Sequence, residues 1–264
     1  LFEGLEHIRL AIVLANKSQK PKNVFSTKYY KWSTIAREFL FDNLTYSDVS
    51  SLREDTLIPK LNSLTSYSIL KKIQSNRNRT SSFILKTSSN RIYFTRKLSG
   101  FVQVLDFIPE IFDNNGISRM PSELKELRFQ TNEQSSTYLA VLNSSLFYWY
   151  LTVWSDCRNL NQRELQNFNF DFSLANIGLI KKLSELSTRL MDDIQSHSAF
   201  LDMNFKKVGK LRIQCIYPKY SKMIIDEVDT VLAEHYGFTV EELDFIINYD
   251  IKYRMGKELE EDGE

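Results

Sequence analysis

The sequence is poor in glycine, cysteine and histidine, and each scarcity removes a class of function. Eight glycines among 264 residues leave little material for a loop that cradles phosphates, so a glycine-rich nucleotide-binding architecture is not expected. Two cysteines, Cys157 and Cys215, make neither a disulfide framework nor, by themselves, a metal site. The three histidines, His7, His197 and His235, stand at no ligand spacing from one another or from a cysteine. Also missing are the G-x-S-x-G, P-loop, H-E-x-x-H and C-x-x-C patterns that mark common catalytic and metal centres. The acidic pairs Asp192-Asp193 and Glu241-Glu242 fall on helical patterns and read as solvated faces. His235, near a helix end, reads as a complement to the helix dipole. No catalytic constellation emerges. There is no signal peptide and no apolar run of membrane-spanning length, so the cytoplasm is the expected compartment. The chain starts at Leu1 inside a candidate structural element, as expected of a piece of a longer protein.

Acids are missing locally. The formal net charge is +1, from 34 basic and 33 acidic residues. Five of those acids, Glu258, Glu260, Glu261, Asp262 and Glu264, sit in the tail. From Thr56 to Leu105 there are nine Lys and Arg residues and no Asp or Glu, and His7 to Arg37 repeats the pattern. Basic stretches interleaved with Tyr, Trp, Asn and Ser are the footprint of a phosphate-contacting surface. The plainer alternative is a solvated face whose acids come from other segments.

Aromatic residues are plentiful, with 18 Phe and 13 Tyr, and they concentrate in the stretch from Tyr138 to Phe172. Leu139, Leu142, Leu146, Tyr150 and Val153 recur at three- and four-residue steps, which predicts one buried core helix. Ser155, Asp156, Arg158, Asn159, Asn161, Gln162 and Arg163 follow directly. Arg, Asn and Gln make forked contacts to base edges and phosphates, and a rigid helix end holds such groups still. A helix terminus followed by a polar loop is the bland reading. In it, Asp156 and Arg158 brace the loop against the helix end.

In chain order, Ile8–Ala15 predicts a strand buried on both faces, to be covered by the helices after Ala175 or by another copy of the chain. Lys28–Leu40 and Tyr67–Gln74 predict helices. Ser82–Thr87 and Arg91–Arg96 predict a hairpin, Gly100–Phe107 a strand, and Asp113–Gly116 a turn. Ser122–Phe129 opens with a helix-capping serine. Ala175–Met203 predicts a long helix, Gly209–Tyr217 a strand and Ser221–Tyr236 a helix stopped by Gly237. Thr239 and Glu242 form a capping box for another helix. The fold class expected is α+β: a mixed target-recognition domain with small β-sheets and a helical C-terminal region.

Four segments carry a resemblance. FEGLEHIRLAIVLANK (residues 2–17), RIYFTRKLSGFVQVLDFIP (91–109), AVLNSSLFYWYLTVWSDCRNLNQREL (140–165) and DEVDTVLAEHYGFTVEELDFIINYDIKYRMG (226–256) resemble parts of bacterial N6-adenine DNA methyltransferases of the Eco57I-like group, found in type II restriction-modification. The family's Asn-Pro-Pro-Tyr motif and glycine-containing cofactor motif are absent. The resemblance therefore implies a target-recognition end. Residues 1–24 would be the last strand of the catalytic domain, 25–174 the DNA recognition domain, and 175–264 a helical region packing on either. It implies a parent protein that uses S-adenosylmethionine and flips an adenine into its catalytic domain, while this chain binds no cofactor.

The expected partners are double-stranded DNA, the catalytic domain of the parent and, through the truncated strand, a second copy. Membrane association is not expected. The residues expected to meet DNA are Lys28, Tyr30 and Lys31; Arg77 and Arg79; Arg91, Tyr93, Arg96 and Lys97; and Ser155, Arg158, Asn161 and Arg163. Two other readings stand beside this one. A self-sufficient enzyme is disfavoured by the missing motifs. A protein-interaction domain would dock a subunit through the helices after Ala175.

Overall fold

The structure, a computed structural model, describes residues 11–17, 23–31, 38–54, 57–98 and 100–256. The fold is α+β, with helices around small antiparallel sheets. A two-residue ladder, β1 (Phe25–Ser26) with β2 (Ser47–Asp48), opens the described chain. Helix α1 (Leu64–Gln74) follows, started by a capping box between Ser63 and Ser66, with Ile69, Leu70 and Ile73 buried. One three-stranded sheet places β3 (Asn90–Phe94) between β4 (Val104–Leu105) and β6 (Lys125–Phe129). Alternation sets its buried face: Ile92, Phe94, Leu127 and Phe129 point inward, as period-two patterning requires. The second sheet places β8 (Gly209–Cys215) between β5 (Ile111–Asp113) and β7 (Ala199–Phe205).

The core is organised by α2 (Asn132–Asn143) and α3 (Ser145–Trp154). Every residue of α3 is buried. Helix α5 (Ile177–Ser196) packs along α2, and α6 (Lys222–Tyr236) and α7 (Val240–Ile247) close over α3. One apolar cluster runs from Val49 to Tyr249 and crosses the boundary expected at residue 174. The last helix, α8 (Ile251–Met255), inserts Arg254 into this core. Its guanidinium lies 4.3 Å from the centroid of Phe101 and 4.8 Å from that of Tyr148, and donates to Gly100 O and Ser145 Oγ. The buried Asp229 carboxylate caps α3 by accepting from the N–H groups of Ser145 and Leu146. Among the described residues, no helix is long and apolar enough to cross a membrane.

Several local expectations are corrected. The predicted central helix is two helices, broken at Ser144, whose backbone is extended. Ser144 Oγ accepts from Phe147 N–H, and Asn143 bonds both the N–H and the C=O of Val104. Three short polar side chains in a row offer the backbone partners outside the helix, and here they win over periodicity. The predicted hairpin does not form: Thr80–Phe83 is a 3-10 turn, and β3 pairs with β4 and β6. The Ser122–Phe129 segment ends in strand β6, not a helix. Helix α5 stops at Ser196, and residues to Phe205 form β7.

Of the predicted first strand, residues 1–10 lie outside the described residues. Residues 11–17 carry no regular structure, and Ile12, Val13 and Leu14 are exposed. Of Lys28–Leu40, residues 32–37 lie outside the described residues, 28–31 are irregular and 38–40 form turns. His235 stands in the last turn of α6, as expected. It packs 5.2 Å from the Phe170 ring, and burial pushes its imidazole below the ordinary value. Lys72 Nζ, bonded to Gly237 O, adds a cation at the same helix end. The helix expected at 67–74 forms but begins earlier, at Leu64, and the strand expected at 209–217 ends at Cys215, while the helices at 222–236 and 240–247 and the turn at 113–116 fall where periodicity and caps place them.

Candidate nucleic-acid interface

Helix α3 ends at Trp154, and Ser155 closes it. Lys60 reaches across to this end and donates to Val153 O and Ser155 O, at 3.0 and 2.7 Å. Burial pushes its amine below the ordinary lysine value. A cation on the last carbonyls of a helix is favourable both as a cap and for the dipole. The polar run then divides by role. Ser155 is buried, and its hydroxyl accepts from Cys157 N–H. Asp156 accepts from the backbone N–H groups of Arg158 and Asn159. Asn161 is the N-cap residue of the short helix α4 (Gln162–Asn167), and its backbone N–H donates to the Glu164 carboxylate at 3.2 Å. Ser155 and Asn161 thus occupy cap positions, and Ser155 presents no hydroxyl to solvent.

Arg158 and Arg163 remain at the surface of this loop. Arg163 is tethered to the buried Glu164 carboxylate at 2.9 Å. Among the described residues Arg158 forms no ion pair. The bond from Leu160 N–H to Arg96 O, 3.0 Å, ties this loop to the segment after β3. Arg96 and Lys97, both exposed, therefore stand on a segment joined by its backbone to the loop that carries Arg158 and Arg163. These four cations come from two loops fixed to one buried helix end. On the other flank of α4, Arg79 pairs with Glu54 at 2.8 Å and approaches Asn167. Arg77 is exposed.

The remaining expected contacts are spread more widely. Arg91 pairs with Glu126 across the sheet at 3.4 Å, and Tyr93 is half-buried on the same strand. Lys28 lies over the Tyr30 ring, whose hydroxyl bonds Thr45. Lys31 pairs with Asp250 at 2.9 Å and donates to Tyr148 Oη. Burial opposes the charge on Lys31, but Tyr148 and Asp250 outweigh it and raise its affinity for the proton. Three of the cations in the acid-free stretch from Thr56 to Leu105 are neutralised from elsewhere: Lys72 by Glu242, Arg79 by Glu54 and Arg91 by Glu126. To that extent the plainer reading of the charge pattern describes the molecule.

A further basic group was not anticipated. Lys206, Lys207, Lys210 and Arg212 line the β7–β8 hairpin and are exposed. The FKKVGK run in the sequence was its only signal. No group of His, Cys, Asp and Glu among the described residues is placed to hold a metal ion. No protein-family model matches the chain, and no curated protein or solved structure matches it.

Proposed function

We propose that the chain is a sequence-specific double-stranded DNA recognition module of an adenine-N6 DNA methyltransferase or restriction-modification enzyme. One observation carries the reading. Arg96, Lys97, Arg158 and Arg163 stand exposed on two loops that are bonded together and anchored to the fully buried α3. Exposed guanidinium groups on anchored loops are suited to bidentate contact with guanine edges and phosphates. Exposed lysines beside them set register on the backbone without reading sequence. The resemblance assigns S-adenosylmethionine and the chemistry to the parent's catalytic domain, because the motifs that would hold them are absent here. No residue of this chain is assigned to the cofactor. Its own task is to bind, orient and discriminate.

The test is selection of bound duplexes from a randomised pool, followed by sequencing. Enrichment of one short motif is the expected result, and a flat base distribution contradicts sequence readout. A second reading, docking of a subunit or of the parent's catalytic domain, is favoured by Leu174 and Ile177, which are exposed where α5 begins. Under it, replacing both with serine weakens that association and leaves duplex affinity unchanged.

A further inference from the structure

The sheet β5-β8-β7 has two unlike faces. Cross-strand partners share a face, and the register couples Phe112 with Arg212 and Arg212 with Asp202. Phe200, Asn204 and Lys210 lie on that same side by alternation. The turn that follows β5, with Asn114 and Gly116, rises along one edge. Strands and turn enclose an open cleft of about 540 Å³, lined by Phe112, Asn114, Phe200, Asp202, Lys210 and Arg212. That volume is in the range of small-molecule sites, about 300–1,000 Å³.

The floor is aromatic: the Phe112 and Phe200 rings are 6.2 Å apart, and Arg212 Cζ lies 5.3 Å from the Phe200 centroid. Phe200 is 39% exposed, so part of the ring is accessible to a ligand beside the Arg212 guanidinium that lies over it. The rim is cationic. Lys206 and Lys207 form the hairpin tip beside Lys210, and none of the three has an ion-pair partner among the described residues. Of the two carboxylates nearby, Asp113 is held by Arg119 and by the N–H groups of Asn115 and Ile117. Asp202 faces Arg212 across the strands.

We infer that this face binds single-stranded nucleic acid, with an unpaired base stacked on Phe200, the adjacent phosphate on Arg212, and the strand running on past Lys210 to the Lys206–Lys207 tip. Flat aromatic floors bordered by lysines are how single strands are held without sequence preference. The inference does not rest on the duplex reading and involves different residues.

The experiment is fluorescence anisotropy of the whole chain with a labelled twelve-nucleotide oligothymidylate at low salt, with a mixed-sequence duplex run in parallel. Wild type is expected to bind the single strand. Phe200→Leu, which keeps apolar bulk and removes the ring, should weaken that binding by about 5- to 100-fold. Phe200→Tyr should restore it. Lys206→Ala with Lys207→Ala should reduce the single-strand salt slope by about 1.4. If Phe200→Leu lowers the melting temperature, Arg212→Gln takes its place and should weaken binding in the same assay. The inference is overturned by wild type without single-strand affinity, by a folded Phe200→Leu or Arg212→Gln that binds like wild type, or by equal losses on duplex and single strand. Absence of duplex binding with the single-strand result intact would count against the duplex reading alone.

Discussion

In the loop after α3, the Asp156 carboxylate accepts from the backbone N–H of Arg158 at 2.9 Å, a bond in which the guanidinium takes no part. Alanine at 158 retains that bond. Arg158→Ala is therefore expected to leave stability within about 0.5 kcal/mol, as for an unengaged surface residue. If its guanidinium reads a guanine, sequence discrimination falls by about 1–3 kcal/mol at one position. Parallel melting and binding curves decide between readout and bracing. Asn161→Ala should behave oppositely. It removes the side-chain amide at the N-cap of α4 but keeps the backbone bond from residue 161 to Glu164, and should cost about 0.5 to 1 kcal/mol of stability, with any loss of DNA affinity following from that. From sequence alone the polar run was visible, but the caps within it looked the same as the displayed groups.

Asp229 gives the residue-scale prediction in pH. Burial pushes its carboxyl up to about 6, against the opposing pull of the Leu146 and Ser145 N–H groups and of Arg254. The unfolded value is about 3.9. The folded state therefore binds the proton more tightly. Its contribution is fully present below pH 4 and is lost as the pH rises through about 6. The size is on the order of 3 kcal/mol. Asp229→Asn should abolish this downward slope between pH 4 and 6, measured by urea unfolding at each pH. A variant with the wild-type slope would show that Asp229 does not titrate there.

At the scale of elements, two glycines with positive φ separate backbone strain from crowding. Gly237 closes α6 at φ +66, and a Cβ there would meet nothing within 4 Å. Gly237→Ala should cost about 1 kcal/mol, the left-handed penalty alone. Gly100 has φ +68, and a Cβ would stand 3.1 Å from the backbone Cα of Arg254. Gly100→Ala should cost clearly more, because it also pushes α8 outward and disturbs the buried guanidinium. Equal losses in thermal unfolding would contradict this packing. Helices with strong caps were legible from sequence: α6 with Gly237 and α7 with Thr239 and Glu242. The break at Ser144 was not, because Leu142, Leu146 and Tyr150 continue the periodicity straight through it. Strand β6 was not either, since Pro121-Ser122 resembles a helix start, although Leu127 and Phe129 alternate as strand residues should.

Across the whole molecule, charge is where sequence order and space differ most. The acid-free stretches are partly neutralised by Glu54, Glu126, Glu242 and Asp250, which come from other segments. Of the cations left without an acid, Arg96 and Lys97 lie on a loop that one backbone bond joins to the loop of Arg158 and of the Glu164-paired Arg163. That juxtaposition joins distant parts of the chain, and no local pattern encodes it. Lacking the cofactor motifs, the chain alone is expected to give no heat with S-adenosylmethionine in calorimetry. Specific micromolar binding would contradict the assignment of the chemistry to a catalytic domain elsewhere.

The most direct test of the DNA-binding claim is the salt dependence of duplex affinity, measured for wild type and for the chain with Arg96, Lys97, Arg158 and Arg163 all changed to Ala. Each phosphate contact contributes about 0.9 to the slope of log K against log salt. The account predicts tight duplex binding by wild type at low salt, and a fall in slope of between about 2 and 3.6 in the fourfold variant, the upper value if all four cations meet phosphate. Wild type without duplex affinity at low salt, or a fourfold variant that is folded and has the wild-type slope, would contradict it.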